Sequence, residues 1–217
     1  MIDAVVFDLD GVIVDSEQVW DEVRADYARE SGGRYGPDAA REMMGMSSPE
    51  WSAYMARELG VPGTPDQINA EVVERMLVRY GELPPLIPGA VDVVRRVADR
   101  WPVAIASSSN LELIEVVLAS AGLSDVVREV VSSEQVARGK PAPDVYLEAA
   151  RRLGATPSLC AAVEDSHNGI RSAKAAGMLV FAVPNPHFPP GDDAVADADV
   201  VLSSITELSP ERIEAAV

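Results

Sequence analysis

Six short apolar runs punctuate the chain, with helical periodicity between most of them. Ala4-Val5-Val6-Phe7 is the first and Val103-Ala104-Ile105-Ala106 the second. The third, Val126-Val127 through Val130-Val131, is interrupted by Arg128-Glu129. Leu159 to Val163, Met178 to Val183 and Val200-Val201-Leu202 complete the set. Short continuous apolar runs suit strands buried on both faces. Helical spacing marks Ala90 to Ala98, after Pro88-Gly89. It also marks Leu111 to Ala121, which follows the N-cap residue Asn110 and stops at Gly122. Val145 to Leu153 stops at Gly154, and Ile170 to Ala176 at Gly177. Ser209-Pro210-Glu211 reads as an N-cap followed by proline at the first helical position. Strands alternating with helices predict an α/β fold built on a parallel sheet.

One stretch breaks the alternation. From Asp15 to about Glu82 there is no convincing strand. Helices are expected over Glu17 to Glu30, Pro37 to Met44, Pro49 to Leu59 and Pro65 to Tyr80. The return to the sheet runs through Leu83-Pro84-Pro85-Leu86-Ile87-Pro88-Gly89, stiff enough for a hinge. The organisation read from this pattern is a core of residues 1–14 and 87–217 with a helical insert at 15–86. There is no internal repeat.

Composition narrows the function. A chain of 217 residues fits one domain plus an insert. Its formal charge is 18 − 35 = −17. Such a surface repels nucleic-acid phosphates and anionic membranes, so neither is an expected partner. A small anionic substrate needs a local cationic site. One cysteine, Cys160, and two histidines, His167 and His187, exclude a cysteine cage or a three-histidine metal site. The chain begins Met1-Ile2-Asp3, without a basic, apolar leader. A cytoplasmic monomer is the expectation.

In open parallel sheets, ligands bind beyond the carboxyl ends of the strands. Here those ends carry Asp8-Leu9-Asp10-Gly11, Ser107-Ser108-Ser109-Asn110, Gly139-Lys140-Pro141 and Glu164-Asp165-Ser166. Asp8, Asp10, Glu164 and Asp165 would repel one another strongly without a cation. Oxygen-only ligation favours Mg²⁺, which pairs with one or two carboxylates and a substrate phosphate. Lys140 adds a fixed positive charge, and Ser107 and nearby backbone N–H groups can hold anionic oxygens. Lysine is sparse: Lys140 and Lys174 are the only two, beside 16 arginines. Cation, lysine and hydroxyl together describe a site for a phosphoryl group. One aspartate can attack phosphorus, and the other can serve the leaving oxygen and then water.

Asp8-Leu9-Asp10-Gly11-Val12 resembles the first motif of the haloacid dehalogenase superfamily. Ser107, Lys140 in Gly139-Lys140-Pro141, and Glu164-Asp165-Ser166 resemble its second, third and fourth motifs. The resemblance covers nearly the whole chain, and lies nearest the β-phosphoglucomutase-like and sugar-phosphate phosphatase branch. It implies a Rossmann-like core with an inserted helical cap over 15–86, and an Mg²⁺-dependent phosphatase. Asp8 would be nucleophile and metal ligand. Asp10 would be general acid/base, with its backbone carbonyl on the metal. Ser107, Ser108 and Lys140 would hold the phosphoryl group. Asp165, with Glu164, would complete the metal site, directly or through water. Substrate contacts in the cap would come from Glu17, Trp20 and the segment Met44-Gly45-Met46-Ser47-Ser48, Gly45 above all.

Neighbouring chemistries can be weighed. Dehalogenation needs neither the second aspartate nor the metal, so Asp10 argues against it. Phosphonoacetaldehyde hydrolysis needs a cap lysine, and residues 15–86 contain none. A β-phosphoglucomutase-type sugar phosphomutase is the alternative. Such mutases carry a cap histidine and arginine where this chain has Ser16-Glu17-Gln18-Val19-Trp20 and Ser47-Ser48-Pro49-Glu50-Trp51. No cationic clamp for a second phosphate is therefore expected, and hydrolysis of a small sugar or polyol monophosphate is favoured. A phospho-acceptor binding module is a further alternative; the large insert argues against it. Trp20 lines the pocket or packs within the cap. Asp15 reads as a hinge or helix-cap residue. His167 reads as a capping or solvent-facing residue, and Cys160 as core. His187 is assigned nothing.

Overall fold

The structure, a computed structural model, describes residues 2–43, 46–82, 84–185 and 189–217. Six strands form one parallel sheet: β1 (Ala4–Phe7), β2 (Val103–Ser107), β3 (Glu129–Ser132), β4 (Cys160–Glu164), β5 (Leu179–Ala182) and β6 (Val200–Val201). Their order is β3-β2-β1-β4-β5-β6. The chain leaves β1 in one direction and returns to its other side at β4. That reversal leaves a crevice at the carboxyl end of β1, where ligands bind in folds of this kind.

The two sheet faces differ. Val5 and Phe7, Val103 and Ile105, Ala161 and Val163, and Phe181 belong to one apolar cluster. Ala4 and Val6, Ala104 and Ala106, Cys160 and Ala162, and Val180 and Ala182 belong to the other. The side-chain period of two along each strand produces this split. The second face is mostly alanine, so helices on it approach closely. α7 (Asp144–Leu153) and α8 (His167–Ala175) bury Tyr146, Ala149, Ala150, Ile170 and Ala173 there. α5 (Ala90–Ala98), α6 (Leu111–Ser120) and α10 (Pro210–Glu214) bury Val93, Val94, Val97, Leu113, Ile114, Val117 and Ile213 in the first cluster.

Between β1 and α5 lie α1 (Glu17–Glu30), α2 (Ala39–Met43), α3 (Ser48–Arg57) and α4 (Pro65–Glu82), with no strand among the described residues. Trp20, Trp51, Met55, Ile68, Val72 and Met76 pack between them. The two chain segments joining this helical unit to the sheet run side by side. Val14 bridges Leu86 in antiparallel fashion. The Asp15 N–H donates to Pro85 O at 2.8 Å and that of Ile87 to Ile13 O at 2.9 Å.

Some expectations need correction. The third strand starts later than the apolar run does. Val126 and Val127 continue the turn after α6, both donating to Leu123 O, and pairing begins at Ala104 with Glu129. α8 starts earlier than Ile170, because the Ser166 side chain caps it by accepting from Gly169 N–H. Asn110 occupies the N-cap of α6, but its side chain does not cap the helix. It instead accepts from Ser48 at 2.7 Å and donates to Glu134 at 2.7 Å. Asp15 is not the cap of α1; Ser16 holds that position. The short α9 (Asp192–Asp197) had no counterpart in the sequence pattern.

Candidate active site

Strand register builds the site. Phe7 pairs with Val163, so Asp8, one step beyond β1, comes beside Glu164 at the end of β4. The Asp8 N–H continues the ladder to Val163 O at 2.9 Å. Lys140, which enters from the β3 side before a cis Lys140–Pro141 peptide, lies between the two acids. Its ammonium is 3.0 Å from Asp8 and 2.6 Å from Glu164. It also stands 5.2 Å from the Tyr146 ring centre. Burial pulls the ammonium's pKa down, but Asp8 and Glu164 more than offset this and raise it. Lys140 is therefore a fixed charge.

Glu164 is fully engaged. One oxygen accepts from Lys140 and from the Tyr146 hydroxyl at 2.8 Å. The other accepts from the N–H groups of Asp165 and Ser166 and from the Ser166 hydroxyl. Burial raises its carboxyl pKa, but Lys140 and these donors bring it below the usual value. Its hydrogen bonds hold Lys140 in place and fold the loop after β4.

Asp8 and Asp165 are pushed the other way. Burial raises both well above the carboxylate range, and Glu164 adds to it. Carboxylate oxygens of Asp8, Glu164 and Asp165 lie within 4.8 Å of one another. A buried triad of oxygen donors with only one resident ammonium fits a hard divalent cation, which would relieve the repulsion. The backbone leaves room for it: a Cβ at Gly11 would stand 1.8 Å from Asp165 Oδ2, and φ there is +73°. The Asp10 side chain is not part of this triad.

Asp10 is held by three hydroxyls. Ser16 donates to Oδ1 at 2.5 Å, and Ser107 and Ser109 to Oδ2 at 3.2 and 2.7 Å. Ser107 is fully buried and also accepts from Ser109 N–H at 3.0 Å. Ser108 and Ser109 instead line the cavity above Asp8, with Lys140 and Asp165. That cavity is small, ≈ 60 Å³. Its other wall is the helical unit: Glu17, Trp20, Arg24, Met43, Met46 and Trp51. Burial foremost, with repulsion from Asp10, raises Glu17 to about 7. Both readings of Trp20 hold, since it lines the cavity and packs 5.9 Å from Trp51.

Sequence reasoning missed Ser109, Tyr146 and Arg24. Arg24 brings a cation of the insert to the cavity from outside the two stretches, 16–20 and 47–51, where a mutase would carry its cap histidine and arginine. It is buried in the cavity wall, 4.6 Å from the Trp20 ring centre and 5.0 Å from that of Trp51. The only prior hint was spacing, four residues beyond Trp20 and seven beyond Glu17 on one helix face. Gly45, Met44 and His187 lie outside the described residues. His167 opens α8, 3.8 Å from Asp193 at the surface, and Cys160 is buried in the sheet.

A parallel sheet with a lysine-clamped aspartate and an acidic triad at its switch point defines an α/β enzyme for phosphoryl groups. A family model described as haloacid dehalogenase-like hydrolase matches residues 2–177, and the chain belongs to that family. Hexitol phosphatase B of Escherichia coli is 35% identical over 97% of this chain and 96% of its own. The fructose-1-phosphate phosphatase YqaB of the same species is 36% identical over 80% of this chain and 92% of its own. A β-phosphoglucomutase structure from Clostridium difficile superposes with a TM-score of 0.86, covering 100% of this chain and 97% of that one, at 22% identity. At that identity the likeness is one of fold. The protein is an enzyme of the family's phosphatase kind. No described helix is long and apolar enough to cross a membrane.

Proposed function

We propose that the protein hydrolyses a small sugar or polyol phosphate, with Mg²⁺, through an aspartyl-phosphate on Asp8. The observation that carries this is the Asp8 carboxylate held 3.0 Å from the buried Lys140 ammonium, facing the small cavity between sheet and helical unit. Asp8, Asp165 and the backbone carbonyl of Asp10 would hold the metal, with Glu164 acting through Lys140 and the loop after β4. When bound, Mg²⁺ supplies charge neutralisation for the phosphoryl oxygens and the carboxylates.

An Asp8 oxygen attacks phosphorus, and the bond to the ester oxygen breaks. Lys140 and the Ser108–Ser109 segment hold the non-bridging oxygens. Asp10 gives its proton to the departing alkoxide. Water then attacks the aspartyl-phosphate, Asp10 takes the proton back, and inorganic phosphate leaves with Asp8 restored. Hydroxyls accept as well as donate, so Ser16, Ser107 and Ser109 can serve both protonation states of Asp10. Residues 15–86 act as a cap, and 1–14 with 87–217 as the catalytic core. The cap shuts bulk water from the bond being broken. Its loop around Gly45 and Met46 contributes to substrate choice.

The test is phosphate release from hexose, hexitol, glycerol and glycolate phosphates, with Mg²⁺ or EDTA. Wild type should turn over one or more of these only with Mg²⁺, and Asp8→Asn none. Because Arg24 supplies a cap cation, β-glucose 1-phosphate belongs in the panel. Its conversion to glucose 6-phosphate without phosphate release would overturn hydrolysis in favour of a mutase.

A further inference from the structure

We propose that Arg24 selects the leaving group, donating to hydroxyl oxygens at the end of the substrate remote from phosphorus. This rests on the phosphatase reading above and adds to it the residue that reads the alcohol. Arg24 lies on the face of α1 that also carries Glu17 and Trp20, and all three line the cavity opposite Asp8 and Lys140. The guanidinium is pinned over both indoles, whose planes are tilted by 56°. That stacking fixes a planar fork of donors in one orientation.

No described residue takes those donors. Among the described residues Arg24 forms no ion pair or hydrogen bond, and its Nε is buried without an acceptor. A desolvated cation with an unmet N–H is costly unless a ligand supplies the oxygen. Stacking on the indoles offsets part of the charge burial but leaves the donors unmet.

The surroundings say which oxygen. Glu17 shares the wall with Arg24, and Asp10 and Asp21 also act on the guanidinium through their charge. A distal carboxylate or second phosphate would meet this negative field. A hydroxyl would not: it accepts from Arg24 while its own proton goes to Glu17. The cavity is small, which disfavours a bulky leaving group. A polyol or sugar alcohol oxygen matches the donor, the acceptor and the space.

The test compares three esters in wild type, Arg24→Gln and Arg24→Met. A hexitol 6-phosphate carries distal hydroxyls, phenyl phosphate has no oxygen beyond the ester, and 2-phosphoglycolate has a distal carboxylate. Loss of a charged donor should raise KM for the hexitol phosphate about 10- to 100-fold in both variants. The kcat/KM for phenyl phosphate should stay within about twofold. Equal losses on both esters would make Arg24 structural and overturn the proposal, as would no loss on either. A larger loss on 2-phosphoglycolate than on the hexitol phosphate would overturn the hydroxyl assignment in favour of a distal anion. Arg24→Met keeps an apolar filling between the indoles, so it reports even if Arg24→Gln does not fold. If wild type releases phosphate from no ester, the phosphatase reading itself has failed, before any variant is compared.

Discussion

Glu17 is a carboxyl group placed where its charge is unwelcome. Burial and nearby acids lift it from 4.5 to about 7. In the unfolded chain it releases its proton near 4.5, while in the folded one it holds that proton to about 7. Between those values the folded state binds more protons, so stability falls as pH rises through the window and stays reduced above it. Glu17→Gln removes this dependence. In EDTA, the variant's melting temperature relative to wild type should be higher at pH 8 than at pH 5. The gain corresponds to about 1–3 kcal/mol after allowance for residual solvent. A difference that is constant with pH would show that Glu17 ionises freely. Asp8, Asp10 and Asp165 were legible because each closely follows an apolar strand, where a polar group is conspicuous, and Lys140 because it is one of only two lysines. Arg24 was not, since it is one of 16 arginines on an amphipathic helix whose burial depends on two tryptophans 31 residues apart. Tyr146 was hidden likewise, as an aromatic in a helix face that reads only as core.

At the scale of elements, the joint between β4 and α8 concentrates the constraints. Ser166 caps the helix, and the first turn passes directly over Glu164. A Cβ on Gly169 would stand 1.8 Å from Glu164 Oε1, the oxygen that receives Lys140 and Tyr146. Gly169→Ala should therefore displace Glu164, lower stability by about 1–3 kcal/mol and reduce phosphate release. Urea unfolding and turnover measured together check this, and an unchanged kcat would mean that Lys140 does not need Glu164. The sheet was readable because its strands are buried on both faces. The elements that escaped have little to bury. α9 buries only Ala194 among its described side chains, so no apolar period marks it. The start of β3 was misplaced because Val126 and Val127 are apolar for the sake of the turn beneath α6. The start of α8 was missed because His167 and Asn168, polar and partly exposed, open it without an apolar period.

At the scale of the molecule, the helical unit and the sheet meet at Asn110. Its side chain accepts from the buried hydroxyl of Ser48 on α3 and donates to Glu134 beyond β3. Asn110→Ala would leave the Ser48 hydroxyl without that acceptor, costing about 1–3 kcal/mol. Removing both partners in Asn110→Ala/Ser48→Ala should cost less than the sum of the single changes, and strict additivity would show that the contact is not made in solution. An asparagine before a helix announces a cap, and only the tertiary contact with a segment 62 residues earlier diverts its side chain.

The paired backbone at Val14 and Leu86 has a consequence for how such an enzyme changes over time. The helical unit leaves and rejoins the sheet through one narrow gate, whose two posts are already bonded to each other. Whatever is inserted there begins and ends at the same place, so its length and shape put no tension on the strands. Asp8, Lys140, Glu164 and Asp165 all lie on the sheet's side of that gate, whereas Glu17, Trp20, Arg24 and Trp51 lie beyond it. In the proposed mechanism bond breaking thus rests on the sheet's side of the gate, Ser16's bond to Asp10 excepted, and choice of alcohol beyond it, so that the second can be rewritten while most of the first is kept.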